Sequence, residues 1–145
     1  MLTVFLSGGI GGLNCDERGK WRFLFKKHMG HRNRTKDAKI IAMTNFLDGN
    51  SGETAEKEGF VYCTNWVKKA DVLVVNLNKP DSIGTAQEVM LAHSLGKPII
   101  MICNVADKDK IHPWYKEEAT TIFYWDDDME EMIRNVVDYV VLYYA

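Results

Sequence analysis

The sequence predicts an α/β fold, a three-layer sandwich with helices on both faces of a five-stranded parallel sheet. Three observations carry this expectation. Apolar runs such as Thr3-Val-Phe-Leu6, Asp71-Val-Leu-Val-Val-Asn-Leu77 and Pro98-Ile-Ile-Met-Ile-Cys103 read as strands buried on both faces. Between them lie stretches whose apolar residues recur at helical spacing. Strands alternating with helices imply parallel pairing through right-handed crossovers.

The first run breaks at Ser7-Gly8-Gly9-Ile10-Gly11-Gly12, a loop from which a helix over residues 16–29 should follow. Trp21, Leu24, Phe25 and His28 mark its apolar face, and Gly30 supplies a stop signal. Residues 38–43 suit the second strand. Residues 44–58, rich in Asn, Asp, Gly, Ser and Thr, read as a loop or cover. A short helix over 60–69, with Val61, Trp66 and Val67 inward, leads to the third strand at 71–77. Residues 84–95 form a strong helix stopped by Gly96, followed by strands at 98–103 and 121–125. Asp127 with Glu130 makes a capping-box-like start to a last helix running toward Tyr143, with the acidic run 126–128 a solvated helix start. The expected strand order is flavodoxin-like, within the broader Rossmann-like class.

At 145 residues the chain fits a single domain over 1–145, able to enclose one core without staples. Hydrophobic residues at 46% and charged residues at 26% are an ordinary globular balance, and a net charge of -2 offers no footprint for a nucleic acid polymer. No signal-peptide pattern opens the chain, and no apolar stretch nears the roughly 20 residues that span a bilayer, so neither membrane insertion nor export is expected. Its three cysteines, Cys15, Cys63 and Cys103, are scattered and lack a CxxC pair. A cytosolic protein without a disulfide framework or thiolate zinc site follows.

In an open parallel sheet, ligands bind beyond the carboxyl ends of the strands at the switch point, here the loops after strands one and three. In the first loop the glycines of residues 8–12 allow close backbone approach and expose amides at a helix mouth, which suits phosphate or ribose. A tight strand-to-helix connection explains the same residues equally well. A dinucleotide fingerprint from Gly9 fails at Asn14, and a P-loop fails because Gly19-Lys20 precedes Trp21. In the second loop, Asn78-Lys-Pro-Asp81-Ser82-Ile-Gly84-Thr85-Ala-Gln-Glu88, a carboxylate follows a helix N-terminus that favours its ionised form. Such a carboxylate can attack an anomeric carbon and form a glycosyl ester. Thr85 to Glu88 also matches a capping box, which would make Glu88 a helix cap.

Ala70-Asp71-Val-Leu-Val-Val-Asn76, Asp81-Ser82-Ile-Gly84-Thr85-Ala-Gln-Glu88, Ala92-His-Ser-Leu-Gly96-Lys97-Pro98 and the opening Val4-Phe5-Leu6-Ser7-Gly8-Gly9 together resemble the nucleoside 2-deoxyribosyltransferase superfamily. The resemblance implies that Glu88 is the nucleophile forming a covalent sugar ester. It also implies that Ser7, Gly8, Gly9 and Gly11 hold sugar or phosphate, and that Asp81, Ser82 and Gly84 line the same site. Before the glutamate, transferases acting on free nucleosides carry an aspartate for the sugar, whereas deoxynucleoside 5'-monophosphate N-glycosidases carry a serine for the phosphate. Ser82 stands at that place and points to nucleotides. The glycosidases' phosphate-binding arginine has no counterpart among residues 8–12. Family members place an acidic residue on the helix before strand three, where Cys63-Thr64-Asn65-Trp66 stands here, with Asn65 as the polar candidate. Homo-oligomers, a dimer or larger, are usual in the family.

Other residues have plainer readings. His28 and His31 lack a third ligand and read as solvent-exposed histidines, so no metal is expected, nor any cofactor. His112-Pro113-Trp114-Tyr115 suits stacking on a base, a subunit interface or ordinary packing. The apolar end, Tyr139-Val-Val-Leu-Tyr-Tyr144, should pack on the sheet or a partner. Cys103 reads as a small buried hydrophobe, and Cys15 near a helix start as structural. The sequence therefore points to cleavage of the N-glycosidic bond of a nucleoside or nucleoside 5'-monophosphate, with base exchange by a deoxyribosyltransferase as the alternative. Two other classes stay open: a non-catalytic nucleotide-binding module, and a flavin electron carrier, whose hydroxyl-rich phosphate cradle the first loop lacks.

Overall fold

Strands apolar on both sides need cover on both faces of their sheet, and the chain supplies it by alternating strands with helices. The structure, a computed structural model, describes residues 2–9, 13–35, 40–44 and 53–145. In chain order these form β1 (Leu2–Gly8), α1 (Cys15–Thr35), β2 (Ile40–Thr44), α2 (Glu53–Lys69), β3 (Val72–Asn76) and α3 (Ile83–Ser94). Then come β4 (Ile99–Asn104), a 3-10 helix (Val105–Lys110), α4 (Pro113–Glu118), β5 (Thr121–Trp125) and α5 (Met129–Tyr144). All strands are parallel in the order β2-β1-β3-β4-β5. This is the expected flavodoxin-like order, and it reverses between β1 and β3.

Alternation along the strands splits the core in two. Val4, Leu6, Val74, Ile100 and Ile102 face α1 and α5, packing on Trp21, Phe25, Met29, Ile133 and Val136. Phe5, Leu73, Val75, Ile99 and Met101 face the other way, toward Val67 of α2, Val89 and Ala92 of α3 and Tyr115 of α4. The C-terminal apolar segment belongs to the first layer, with Val140 buried and Tyr139 edge-on to Phe123 at 5.4 Å. Cys103 is buried in the second. Among the described residues, no helix is long and apolar enough to cross a membrane.

Several element boundaries differ from the sequence expectation. α1 begins on Asn14, whose side chain caps the helix by accepting from Glu17 N at 2.8 Å and also donates to the Glu17 carboxylate at 2.8 Å. It runs through Gly30 to Thr35 because packing outweighs the weak helix propensity of glycine: Met29 is buried, and Arg32 reaches Asp138 of α5 at 3.4 Å. α2 starts at Glu53, well before the expected residue 60, so the expected loop at 44–58 ends in helix; residues 45–52 lie outside the described residues. Its inward face runs through the half-buried Cys63 and Trp66 and the buried Val67, with Ala70 buried just past its end, which leaves Val61 exposed. α5 is capped by Asp128, which accepts from Glu131 N at 3.0 Å, one residue beyond the expected pair. Glu130 is engaged elsewhere, by Lys27 at 2.9 Å and His28 at 2.8 Å, so His28 hydrogen-bonds to a carboxylate and is not a solvated histidine. The segment after β4 is helical. His112 Nδ1 accepts from Trp114 N at 3.1 Å and Pro113 opens α4, a favourable start that short length hides in the sequence.

A methyl group at Gly30 would meet nothing within 4 Å. Gly30→Ala is therefore expected to stabilise the protein by about 0.5–1 kcal/mol, read from the urea midpoint. A lowered midpoint would show that α1 depends on the glycine.

Candidate active site

The site grows from α3. Ser82 is its N-cap: its Oγ accepts from Thr85 N at 3.4 Å and lies 2.9 Å from Thr85 Oγ1. With the cap at Ser82, Thr85 lies inside the first turn, and Thr85 to Glu88 is not the capping box that the spacing allows. Thr85, Glu88, Val89 and Ala92 instead form the buried stripe of the helix, so the carboxylate points inward among apolar neighbours. Glu88 is 9% exposed. A carboxylate in that setting requires charged or hydrogen-bonding partners.

Three elements supply them. Ser7, on the same face of β1 as Phe5, is fully buried and its Oγ donates to Glu88 Oε2. Arg22 reaches over the sheet edge from α1, with Nη2 donating to the carbonyl of Gly8 at 3.3 Å and Nη1 to that of Arg18. Its guanidinium lies 4.7 Å from the Trp21 ring centroid. Burial pushes Arg22 down to about 10 and the Glu88 charge opposes that fall, so the guanidinium is a cation at neutral pH. Cys63, from α2, hydrogen-bonds to Glu88. Its thiol is pushed up to about 12, first by burial and then by the Glu88 charge, with Arg22 pulling the other way. It is a neutral S–H beside a carboxylate.

The two loops of the crevice are tied together by Asn78. Its Oδ1 accepts from Gly9 N at 3.0 Å and its Nδ2 donates to the carbonyl of Glu17 at 3.2 Å. Glycine is needed at this seam: a Cβ at Gly9 would fall 2.6 Å from Lys79 Cβ, and one at Gly8 would lie 3.1 Å from Trp21 Cζ2. Ser7, Gly8 and Gly9 therefore line the end of β1 beside Asn76 and Asn78, where β1 and β3 diverge.

The other residues singled out from sequence are placed differently. Asp81 is exposed, and Ser82 is half-buried at the mouth of α3. Gly84 is exposed in the first turn, and a Cβ there would meet nothing within 4 Å. Gly11 lies outside the described residues. Asn65 is exposed and off the stripe of α2 that faces Glu88; Cys63 occupies that face. Arg22 and Cys63 were not singled out as site residues, although each had a signal. Arg22 is spaced three and seven residues before the buried Phe25 and Met29, and Cys63 four before the buried Val67.

A separate groove of about 370 Å³ lies between α3 and α4, lined by Pro80, Ile83, Met90, Trp114 and Glu118 among others, but not by Glu88. Tyr115 links the two regions. It lines the groove, and its phenol is raised by burial and then by the charges of Glu118 and Glu88. Among the described residues, no cluster of three or more His, Cys, Asp or Glu side chains could hold a metal ion.

Fold and site together define a flavodoxin-like α/β protein with a buried carboxylate at the switch point of its sheet. No protein-family model matches the sequence, and no curated protein matches it. Solved structures do. The CMP N-glycosidase BcmB of Clostridium botulinum is 17% identical, with 97% of this chain and 99% of that chain covered and a TM-score of 0.58. BlsM, solved in solution, is 22% identical, with 96% and 93% covered and a TM-score of 0.63. The 2-deoxyribosyltransferase of Bacillus psychrosaccharolyticus is 17% identical over 92% and 90% at a TM-score of 0.48, a value that the azoreductase AzrA also reaches at 9% identity. The chain thus shares over nearly its whole length the fold of BcmB and BlsM.

The position of Cys63 has a consequence for its reactivity. With a thiol near 12 instead of 9.0, its alkylation by iodoacetamide, followed by peptide mass spectrometry, should be roughly 10²–10³-fold slower at pH 8 than for an ordinary thiol and still be rising above pH 10. Glu88→Gln removes the charge that opposes the thiolate and should speed the reaction. A plateau near pH 9, or no response to Glu88→Gln, would separate the two side chains.

Proposed function

We propose that this protein is an enzyme that cleaves the N-glycosidic bond of a nucleoside 5'-monophosphate or nucleoside, with Glu88 as nucleophile, and releases the base by hydrolysis. The observation that carries the reading is the carboxylate on the buried stripe of α3. It lies at the switch point of the sheet, hydrogen-bonded by Ser7 and charge-balanced by Arg22. An ionised, partly desolvated carboxylate is what attack on an anomeric carbon requires. The fold shared with a protein described as a CMP N-glycosidase supports the same reading.

In the reaction, a carboxylate oxygen of Glu88 forms a bond to C1′ as the bond from C1′ to the base nitrogen breaks. The electron pair leaves with the base, which takes up a proton. Water then attacks C1′, the ester bond breaks, its electron pair returns to Glu88, and the water's proton passes to solvent. Ser7, Gly8 and Gly9 form the sugar end of the site. Ser82 and the amides of the first turn of α3 receive the 5'-phosphate, because the N-terminus of a helix attracts anions. A free base taking the place of water would make the same site a deoxyribosyltransferase.

We further propose a homo-oligomer. Ile83, Met90 and Trp114 are 74%, 42% and 66% exposed around the apolar groove of α3 and α4, beside the mouth of the site. Light scattering after gel filtration should give a dimer or larger, and Trp114→Glu should shift it toward monomer; a monomer at high concentration would remove this part of the reading.

Purified protein incubated with nucleosides and 5'-monophosphates, with and without an acceptor base, should release free base from the monophosphates in preference. Glu88→Ala should lower that release by at least about 10³-fold while the far-ultraviolet spectrum is unchanged. Exchange without hydrolysis would identify the transferase. Ligand binding with no base release from any substrate would leave a binding module.

A further inference from the structure

Arg22 forms and breaks no bond in the proposed attack, yet its charge is buried and interacts with that of Glu88. The guanidinium is 5% exposed and held on two backbone carbonyls, one of them that of Gly8, the neighbour of the serine that bonds Glu88. It is tied to the backbone of β1 and α1, which favours its staying in place when the charge of Glu88 changes.

We propose that Arg22 is a positioning residue that drives the second half of the reaction, the breakdown of the glycosyl ester, an inference that rests on the nucleophilic role of Glu88 given above. Before attack, the buried guanidinium and the carboxylate balance each other. Attack turns the carboxylate into a neutral ester and removes its attraction for the guanidinium, which stays in a site of low polarity, an unfavourable change. Hydrolysis of the ester restores the carboxylate, so the field of Arg22 favours departure of Glu88 from C1′. The same field holds the electron pair of Glu88 and restrains the first step. Ester formation is then slow, ester breakdown fast, and no covalent intermediate accumulates in the native enzyme.

Removal of the charge reverses the balance. In Arg22→Gln and Arg22→Met, breakdown should slow by about 10²-fold relative to formation, on the scale usual for loss of a preorganised charge contact. Quenched-flow measurement of base release from a 5'-monophosphate should show no burst in the native protein. Either neutral variant should show a burst of about one equivalent per site followed by a slow steady rate, with a mass increase equal to the sugar phosphate on the peptide that carries Glu88. Free acceptor base or methanol should accelerate the steady rate of the neutral variants but not of the native protein. Arg22→Lys, which keeps the charge, should remain free of a burst.

A burst with accumulated ester in the native protein would overturn the proposal without any variant. Equal loss of both phases in a folded neutral variant, with no adduct, would also overturn it and reduce Arg22 to a structural role. Absence of base release by the native protein is a different result, which removes the nucleophilic reading of Glu88 and this inference with it.

Discussion

The burial of one carboxylate organises this protein. Glu88 lies on the buried stripe of α3, between Thr85 and Val89 on the side of the helix that meets the sheet. Removing a carboxylate from water is unfavourable unless charge and hydrogen bonds replace the solvent. Here they come from the hydroxyl of Ser7, the guanidinium of Arg22 and the thiol of Cys63, one from a strand and two from helices on opposite faces of the sheet. Only the carboxyl edge of a parallel sheet brings such elements together, because there the side chains at a strand end and at the following helix can meet across the gap between β1 and β3.

That edge is itself held by backbone-level constraints. Asn78 ties the β1 loop to the start of α1 with one amide, and the absence of side chains at Gly8 and Gly9 lets Trp21, Asn76 and Lys79 close around the strand end. Rigid walls of this kind matter for the nucleophile proposed here, since attack on an anomeric carbon depends on close alignment of the reacting atoms. The thiol of Cys63 fits the same design: a neutral donor satisfies the carboxylate without adding a second negative charge.

Much of the architecture was legible because its signals are local. Val72 to Leu77 and Ile99 to Cys103 are buried on both faces and read as strands without ambiguity, and β5 spans the expected residues. Gly96 adopts a positive φ of 69° just past α3, where its stop signal was read. Boundaries decided by long-range packing were not legible: α1 ignores Gly30 because Met29 and Arg32 are held by the sheet and α5, and the first turns of α2 lie in polar sequence that resembles loop. α4 is too short to show a period.

The sequence alone determined the layered α/β class, because apolar periodicity and turn residues are written in neighbouring positions, while the flavodoxin-like strand order was expected from the class and Glu88 was singled out by its resemblance to the nucleoside 2-deoxyribosyltransferase superfamily. The tertiary structure decided which side chains surround that carboxylate. Arg22 and Cys63 are 66 and 25 residues away in the chain and come to Glu88 only when α1 and α2 pack on opposite faces of one sheet. Asn65, the polar residue of α2 that sequence favoured, is turned outward by the same helical geometry that turns Cys63 in. Local pattern specifies which face of an element is buried, but the partner met on that face depends on how separate elements are stacked.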